Sequence, residues 1–314
     1  MPLVSADDER SPLRSVILGR AENSCFPSEP AHMIAATMPS EFHARFEPNQ
    51  PFPPEIIREA ATELENFASI LKREGVNVHR PKIVDWKKSG GYTGAMPRDG
   101  LLTVGNHIIE ACFAWQCRHQ EIDLAFADIL REIGADSDVK VIRAPKPPSP
   151  DTLYEDHIHG HADGYTNGHS NSHTNGVGDR GPQWAINNLR PAFDAADSMR
   201  FGKVLIGQLS NVTNRKGVEY LQQAVPQGYS VEILAVEDPH AMHIDATILP
   251  LRAGLLIYNP DRTSEEALRK HDVLRDWELR AYPFPVHHRA DPPLFMTSAW
   301  LVLNVLSIDE RRKS

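Results

Sequence analysis

The sequence predicts a mixed α/β fold, in a single domain over residues 1–314, in which a unit of hairpin, helix and strand recurs. Two observations predict it. Short apolar runs of strand length alternate with amphipathic helical segments, and paired apolar runs follow polar residues at 97–100 and 243–245 and, more weakly, at 297–300. Such self-similarity favours a ring or propeller of α/β modules, although an ordinary mixed sheet would produce the same alternation.

The N-terminal part is predicted to hold a buried strand at 15–19, then a long helix and a short strand at 76–81. Gly75 would end the helix. The helix is predicted because apolar residues recur at helical spacing, at Ile56, Ala60, Leu64, Phe67 and Leu71.

Two hairpins are predicted further along, one at 100–111 turning at Gly105–Asn106 and one at 245–260 turning at Ala253–Gly254. Further helices and strands are predicted around these two hairpins. The other predicted elements are helices at about 117–133 and 214–224, a helix that begins at the capping box Thr263-x-x-Glu266, and strands at 139–145, 203–208, 229–236, 277–282 and 300–309.

Composition excludes several classes of protein. The net charge of −9 offers no basic surface for nucleic acid, and no stretch approaches the ~18 apolar residues of a membrane span. The acidic N-terminus resembles neither a secretory signal nor a mitochondrial presequence, so we expect a cytoplasmic protein. Three cysteines make no disulfide framework.

A low-complexity segment rich in His, Asn and Gly interrupts the domain at about 157–181. We expect it to be disordered or a long surface loop, because it has almost nothing to bury. Its histidines could bind zinc or nickel, but no ligand framework fixes a geometry, so we expect no functional metal. A metal-binding protein built around 157–173 is the alternative. The histidines are His157, His159, His161, His169 and His173.

Four polar clusters lie at the ends of apolar segments, and they are the candidates for chemistry. They are Arg98 with Asp99, Asp194 with Asp197, His243 with Asp245, and Arg262. Taken singly, each cluster is also typical of a turn, a helix cap or the polar edge of a strand. Their spacing alone therefore predicts only an α/β protein that could be an enzyme.

The stretch MHIDA is the most informative of these clusters. In extended backbone His243 and Asp245 would project to one face. An imidazole can transfer a proton near neutral pH, and it needs an orienting acid, which Asp194 or Asp197 could supply. Further carboxylates beside it would form an anionic pocket suited to a flat guanidinium.

Several long stretches resemble one known family and occur in its order from residue 12 to 312. They include AMPRDGLLTVGNHIIEA, FDAAD, DPHAMHIDAT, NPDR and PPLFMTSAWLVLNVLSIDERR. On these motifs the chain resembles the glycine (L-arginine:glycine) amidinotransferases and their relatives, the inosamine-phosphate amidinotransferases. The resemblance implies the pentein fold, an α/β-propeller of ββαβ modules around a central site.

The resemblance also implies a reaction. A cysteine thiolate attacks the guanidinium carbon of arginine, ornithine leaves, and glycine or a related amine takes the amidino group from the covalent amidino-cysteine. This guanidinoacetate and creatine type of chemistry uses no metal and no organic cofactor. The implied partners are therefore arginine and a small amine acceptor, and family members often dimerise, so a homodimer is implied as well.

The family's roles carry over to matching positions of this sequence. Asp194 of FDAAD would orient the histidine, and His243 of MHID would be the general acid and base. The implied substrate-binding residues are the guanidinium holders Asp99 and Asp245, the carboxylate binder Arg262, and the hydroxyl pair Thr297 and Ser298.

One departure from the family bears on activity. The family's nucleophilic cysteine lies in a Gly-rich segment beyond the motif LNVLSIDERR, and Cys25, Cys112 and Cys117 do not match it. We therefore expect that the chain as given lacks this nucleophile and that its last module is incomplete. A non-catalytic guanidine-binding protein is the alternative function, and another pentein enzyme, such as an arginine deiminase, fits the motifs less well.

Overall fold

A computed structural model of the chain describes most of its length. The predicted loop at about 157–181 and the hydroxyl pair Thr297 and Ser298 lie outside the described residues. The described residues are 4–27, 47–147, 153, 186–238, 241–284, 286 and 299–312.

Short strands and short helices alternate along the described chain. The strands are β1 Ser15–Ile17, β2 Asn77–His79, β3 Leu101–Val104, β4 His107–Glu110, β5 Lys140–Ile142, β6 Ser198–Phe201, β7 Val204–Gly207, β8 Ser230–Ile233, β9 Ile248–Arg252, β10 Leu255–Tyr258 and β11 Glu278–Ala281. The α-helices are α1 Pro54–Arg73, α2 Trp86–Ser89, α3 Pro97–Gly100, α4 Ala127–Ile133, α5 Arg215–Ala224 and α6 Glu265–Arg269.

Three sheets of the described chain repeat one ββαβ plan, which confirms the predicted unit. In each, an antiparallel hairpin is followed by a helix and then by a third strand parallel to the hairpin's second strand. The strand orders are β3-β4-β5, β6-β7-β8 and β9-β10-β11. Strands β1 and β2 pair in parallel around α1 and repeat the second half of the plan.

The three hairpins turn through two residues each, and each turn contains a glycine in the left-handed region. The φ angles are +53° at Gly105, +69° at Gly202 and +75° at Gly254. Two-residue turns between antiparallel strands require positive φ, which glycine adopts without a Cβ clash. The glycines therefore fix where each hairpin reverses.

Strand β7 is buried on both faces and lies between neighbouring modules. Leu205 packs with Ile109 of the first module, in a cluster that also holds Phe193. Ile206 packs with Leu256 of the third module. Because adjacent side chains of a strand point to opposite faces, one short strand joins the cores of all three modules.

Several predicted elements differ from the structure in their local form. Residues 299–303 form a 3₁₀ turn, and no strand follows in the described residues to 312, so the predicted strand at 300–309 is wrong. The cap of α6 is Ser264, whose side chain accepts from the Ala267 amide, while the Thr263 hydroxyl donates to a backbone carbonyl. Strand β6 was not predicted, because its sequence SMRF has neither an apolar run nor strict alternation.

The predicted helix at about 117–133 is divided into three parts. A 3₁₀ turn at Gln116–Arg118 precedes a π-helical segment at Ile122–Phe126, which continues into α4. The break between the first two parts places Arg118 and Glu121 in the protein interior.

The two ends of the described chain meet beside β1. The Leu13 amide donates to the Ile308 carbonyl at 2.8 Å, and Ile308 packs with Leu18 and Leu71. Among the described residues, no helix has the length and apolar character needed to cross a membrane.

Candidate functional site

A short helical turn precedes each of the three hairpins, and each turn carries a carboxylate that sequence analysis selected. Asp99 lies in α3, Asp194 directly precedes the 3₁₀ turn Ala195–Asp197, and Asp245 lies in the 3₁₀ turn Ile244–Ala246. Because the modules repeat, equivalent turns come to the same end of neighbouring hairpins. The repeat thus brings together acids that are far apart in the sequence.

Arg98 joins the first of these turns to the second. Its Nη1 donates to the Ala195 carbonyl at 3.1 Å and its Nη2 to the Ser198 carbonyl at 2.7 Å. The two bonds hold the backbone at both ends of this short turn. Arg98 therefore fixes the position of Asp99 relative to the turn that carries Asp194.

His243 lies between two carboxylates from two other modules. Its Nε2 is 3.1 Å from Asp194 Oδ2, and its Nδ1 is 3.9 Å from Asp99 Oδ1. The structure thus brings the predicted catalytic pair into contact. Both acids are buried, with relative exposures of 3% for Asp194 and 5% for Asp99.

The backbone at His243 corrects one prediction. Residues 243–245 are not extended: His243 has φ +63°, and a 3₁₀ turn begins at Ile244. A non-glycine residue at positive φ is uncommon and costs conformational free energy. The surrounding contacts must therefore hold this histidine in place.

Arg262 provides such contacts. Its Nη1 lies 3.3 Å from the His243 carbonyl and 3.4 Å from the Met242 carbonyl, and its Nε donates to Asp238 at 2.9 Å. The guanidinium is buried at 3% exposure. In this structure Arg262 stabilises the loop that carries His243, and its role in binding a substrate carboxylate stays a prediction.

The charge of His243 follows from its neighbours. Burial disfavours the imidazolium, but Asp99, Asp194 and Asp197 together favour it more strongly and raise the pKa of His243 to about 10. Burial also raises the pKa of Asp194, although His243 and the nearby Arg118 oppose that rise. Near neutral pH the His243 imidazole therefore carries a proton that it could give to a leaving group.

Asp197 has a different role from Asp194, and sequence analysis could not separate the two. Its Oδ2 accepts from the hydroxyls of Ser210 at 2.6 Å and Thr213 at 2.5 Å, and its Oδ1 accepts from the Gln208 amide at 3.0 Å. Burial raises its pKa to about 6. Asp197 is thus the centre of a buried network beneath the site rather than the partner of the imidazole.

Two buried residues of the site were missed by sequence analysis. Arg118 donates through Nη1 to Asp99 at 3.0 Å and to Asp194 at 3.4 Å, and Glu121 accepts from its Nε and Nη2 at 2.8 and 3.0 Å. The only signal in the sequence was their spacing of three residues, which is equally typical of an exposed ion pair on a helix.

Asp245 lies at the edge of the same cluster. Its Oδ2 accepts from the Asn304 amide at 3.2 Å. Burial raises its pKa, while His243 and Arg98 oppose that rise. The position fits an acid that faces a cationic substrate, but its predicted contact with a guanidinium stays a prediction.

Asp99, Asp194 and His243 could together offer three ligand atoms to a metal ion, since these atoms lie within 4.8 Å of one another. One oxygen of each acid, Oδ2, however, accepts from the Arg118 guanidinium. A metal at this place would therefore lie beside a buried cation. We assign no metal to this cluster.

The three cysteines of the sequence are buried and form no disulfide, and none is among the grouped side chains of Asp99, Asp194 and His243. Burial raises the pKa of Cys112 to about 12 and raises that of Cys25 as well. The reactive form of cysteine is the thiolate, so these two environments disfavour nucleophilic attack.

Comparison with known proteins gives relatives over nearly the whole chain, although no family model matches it. The chain is 37% identical over 314 residues to the L-arginine:L-lysine amidinotransferase of Pseudomonas savastanoi pv. phaseolicola, covering 96% of this chain and 79% of that protein. It is 35% identical over 321 residues to the mitochondrial glycine amidinotransferase of Gallus gallus, covering 98% and 72%. The solved structure of SxtG, an amidinotransferase from Microseira wollei in the saxitoxin biosynthetic pathway, has a TM-score of 0.81 and 33% identity and covers 99% of this chain and 85% of that one.

Proposed function

Because this chain belongs to the amidinotransferase family, we propose that it takes the amidino group of arginine and that a small primary amine such as glycine is the acceptor. The observation that supports this proposal is the position of His243, whose imidazole lies between the buried carboxylates of Asp99 and Asp194. A proton donor enclosed by acids suits a reaction in which a cation binds and an amine leaves.

The donor would bind as a flat guanidinium. Asp99 and Asp245 would accept its N–H groups, as carboxylates do in charge-assisted pairs. Around His243 the carboxylates outnumber the cations they contact, since Asp99, Asp194 and Glu121 share one guanidinium. Arg262 would bind the carboxylate of the amino acid, and Thr297 and Ser298 would contact the substrate through their hydroxyls.

The proton transfers would fall to His243. When a thiolate forms a bond to the guanidinium carbon, the bond from that carbon to the ornithine nitrogen breaks, and the imidazolium gives its proton to the leaving amine. The acceptor amine then attacks the amidino carbon, the thiolate leaves, and the neutral imidazole takes a proton from the amine. Asp194 would stabilise the imidazolium at both stages.

We propose that the nucleophile of this scheme is none of the three cysteines, and their burial together with the raised pKa values of Cys25 and Cys112 supports this. This observation favours a second candidate function for the chain as given, namely binding of a guanidine without turnover. In that case the acids around His243 would recognise arginine, and no covalent intermediate would form.

The relatives differ in the acceptor for which they are named. One relative is named for lysine and another for glycine. Both acceptors carry a primary amine and a carboxylate, so one binding site of this kind could take either. We propose glycine or a related amine, and creatine-type chemistry follows only if glycine is the acceptor.

Two measurements test these proposals. Calorimetry with arginine should show binding that weakens in Asp99→Asn and Asp245→Asn but not in the control Asp272→Asn, whose side chain is 83% exposed. Mass spectrometry should then follow ornithine and the amidino products from arginine mixed with glycine, lysine or no acceptor. Binding without product would support the second candidate, and rapid product formation would contradict our assignment of the three cysteines.

Absence of arginine binding, or binding that all three variants leave unchanged, would contradict the guanidinium site itself. The homodimer and the cytoplasmic location stay predictions, which light scattering and cell fractionation would test.

A further inference from the structure

Arg118 lies behind the two carboxylates that face His243, and the transfer scheme gives it no step. All three guanidinium nitrogens have carboxylate partners: Nη1 reaches Asp99 and Asp194, and Nε and Nη2 reach Glu121. The guanidinium carbon also lies 4.1 Å from the centre of the Phe113 ring, and the residue is only 4% exposed. Packing on the Phe113 ring and two hydrogen bonds to Glu121 hold the planar guanidinium in one orientation.

The carboxylates need a cation at this position. Asp99 and Asp194 are buried, and each has an oxygen within 3.4 Å of the same Arg118 nitrogen. Two carboxylates that share a buried site cannot both stay ionised without compensation, because burial and mutual repulsion each raise a carboxyl pKa. His243 cannot supply all the compensation, because it carries one positive charge between two carboxylates.

We propose that Arg118 is the positioning residue of this site: it keeps Asp194 ionised, it orients Asp99 on the other side of His243, and Glu121 anchors it. A neutral Asp194 would leave one negative charge fewer around a substrate guanidinium. It would also weaken the stabilisation of the imidazolium. The other charged groups around His243 are Asp197, Asp245, Arg98 and Arg262.

Carbon-13 NMR of the carboxyl groups tests the proposal directly. With aspartate labelled at Cγ, the Asp194 signal can be assigned by its loss in Asp194→Asn. In Arg118→Met we expect this signal to titrate at a higher pH than in the unchanged protein. The double variant Arg118→Met, Glu121→Gln serves the same purpose if the single variant does not fold, because it leaves no unpaired buried glutamate.

Arginine binding gives a second readout, which rests on the proposed function. If a carboxyl pKa rises to about one unit above the assay pH, about nine molecules in ten carry the neutral form, and arginine binding weakens about tenfold. Binding by the variant should recover as the pH rises through that pKa. Arg118→Lys should bind arginine better than Arg118→Met at every pH, because lysine keeps the positive charge. It should not reach the unchanged protein, because it lacks the planar guanidinium.

A second buried arginine provides the matched control. Arg200 forms a two-point pair with Glu9 and lies outside the cluster around His243. We expect Arg200→Met to lower thermal stability but to leave the titration of Asp194 and the pH profile of binding unchanged.

Two outcomes would overturn the proposal: unchanged titration of Asp194 without Arg118, or a loss of binding that is equal at every pH. If the unchanged protein fails to bind arginine, the proposed function fails, and the titration of Asp194 still decides the role of Arg118.

Discussion

His243 Nε2 lies 3.1 Å from Asp194 Oδ2, although the two residues are 49 positions apart in the chain. The contact joins the turn before the third hairpin to the turn before the second. It sets the charge of the imidazole, because a carboxylate at hydrogen-bond distance favours the imidazolium. Most of the chemistry we propose depends on this one pair.

Replacing Asp194 should change the titration of His243. We expect Asp194→Asn to lower the pKa of His243 from about 10 toward its ordinary value, because one of the carboxylates that favour the imidazolium is removed. NMR titration of the histidine rings measures this, with the His243 signal assigned by its loss in His243→Asn. An unchanged pKa would contradict the pairing, and Asp272→Asn is the control.

The same pair predicts how stability depends on pH. Since the folded pKa of His243 is raised above the unfolded value, its contribution is fully present below about pH 6.5 and is lost as the pH rises through about 10. Urea unfolding at pH 6 and at pH 10 should therefore show a smaller pH difference in Asp194→Asn than in the unchanged protein. An equal difference in both proteins would count against this linkage.

Asp197 should matter for folding more than Asp194 does. We expect Asp197→Ala to reduce the free energy of unfolding by about 2–4 kcal/mol, because it leaves buried partners at Ser210, Thr213 and Gln208 without their acceptor. Urea unfolding at pH 7 measures the loss. If Asp194→Asn were as destabilising as Asp197→Ala, the separate roles assigned to the two acids would be wrong.

Glu9 should control stability in acid. Its carboxylate accepts from Arg200 at 2.8 and 2.6 Å, and although burial opposes ionisation, this pairing lowers the pKa of Glu9 to about 2. The stabilisation is therefore present above about pH 4.5 and is lost as the pH falls through about 2. We expect Glu9→Gln to cost about 2–3 kcal/mol of unfolding free energy at pH 7 and progressively less in acid.

The matched control for Glu9 is Glu265→Gln, which breaks an exposed pair with Arg269. Such pairs contribute about 0.3–0.5 kcal/mol, so this change should alter the free energy of unfolding very little at every pH. Denaturant titrations at several pH values compare the two variants. A cost of Glu9→Gln that does not shrink as the pH falls would contradict the assigned pairing.

Gly217 should prove essential for the position of Asp194. A Cβ at Gly217 would lie 1.9 Å from the Ala192 carbonyl oxygen, two residues before that acid. We expect Gly217→Ala to push α5 away, to cost about 1–3 kcal/mol and to weaken arginine binding. Thermal unfolding and calorimetry measure both effects, with Glu219→Ala on the exposed face of α5 as the control. Tight binding by Gly217→Ala would show that the close approach is not needed.

The sequence by itself determined the repeating plan and the chemistry-bearing positions. Apolar runs broken by Gly105 and Gly254 predict hairpins because strand pairs and glycine turns depend on local residues. The resemblance predicted the pentein-type α/β fold, and similarity to SxtG confirms it, with a TM-score of 0.81. The propeller arrangement and the incomplete last module stay predictions.

Only the tertiary structure decided which of these residues act together. It placed Asp194 beside His243 and made Asp197 the centre of a separate network, although both acids lie in one short motif. It also buried Arg118 and Glu121, which the sequence presents as an ordinary ion pair. The physical reason is that pairing and burial depend on distances between segments far apart in the chain, and local patterns do not contain those distances.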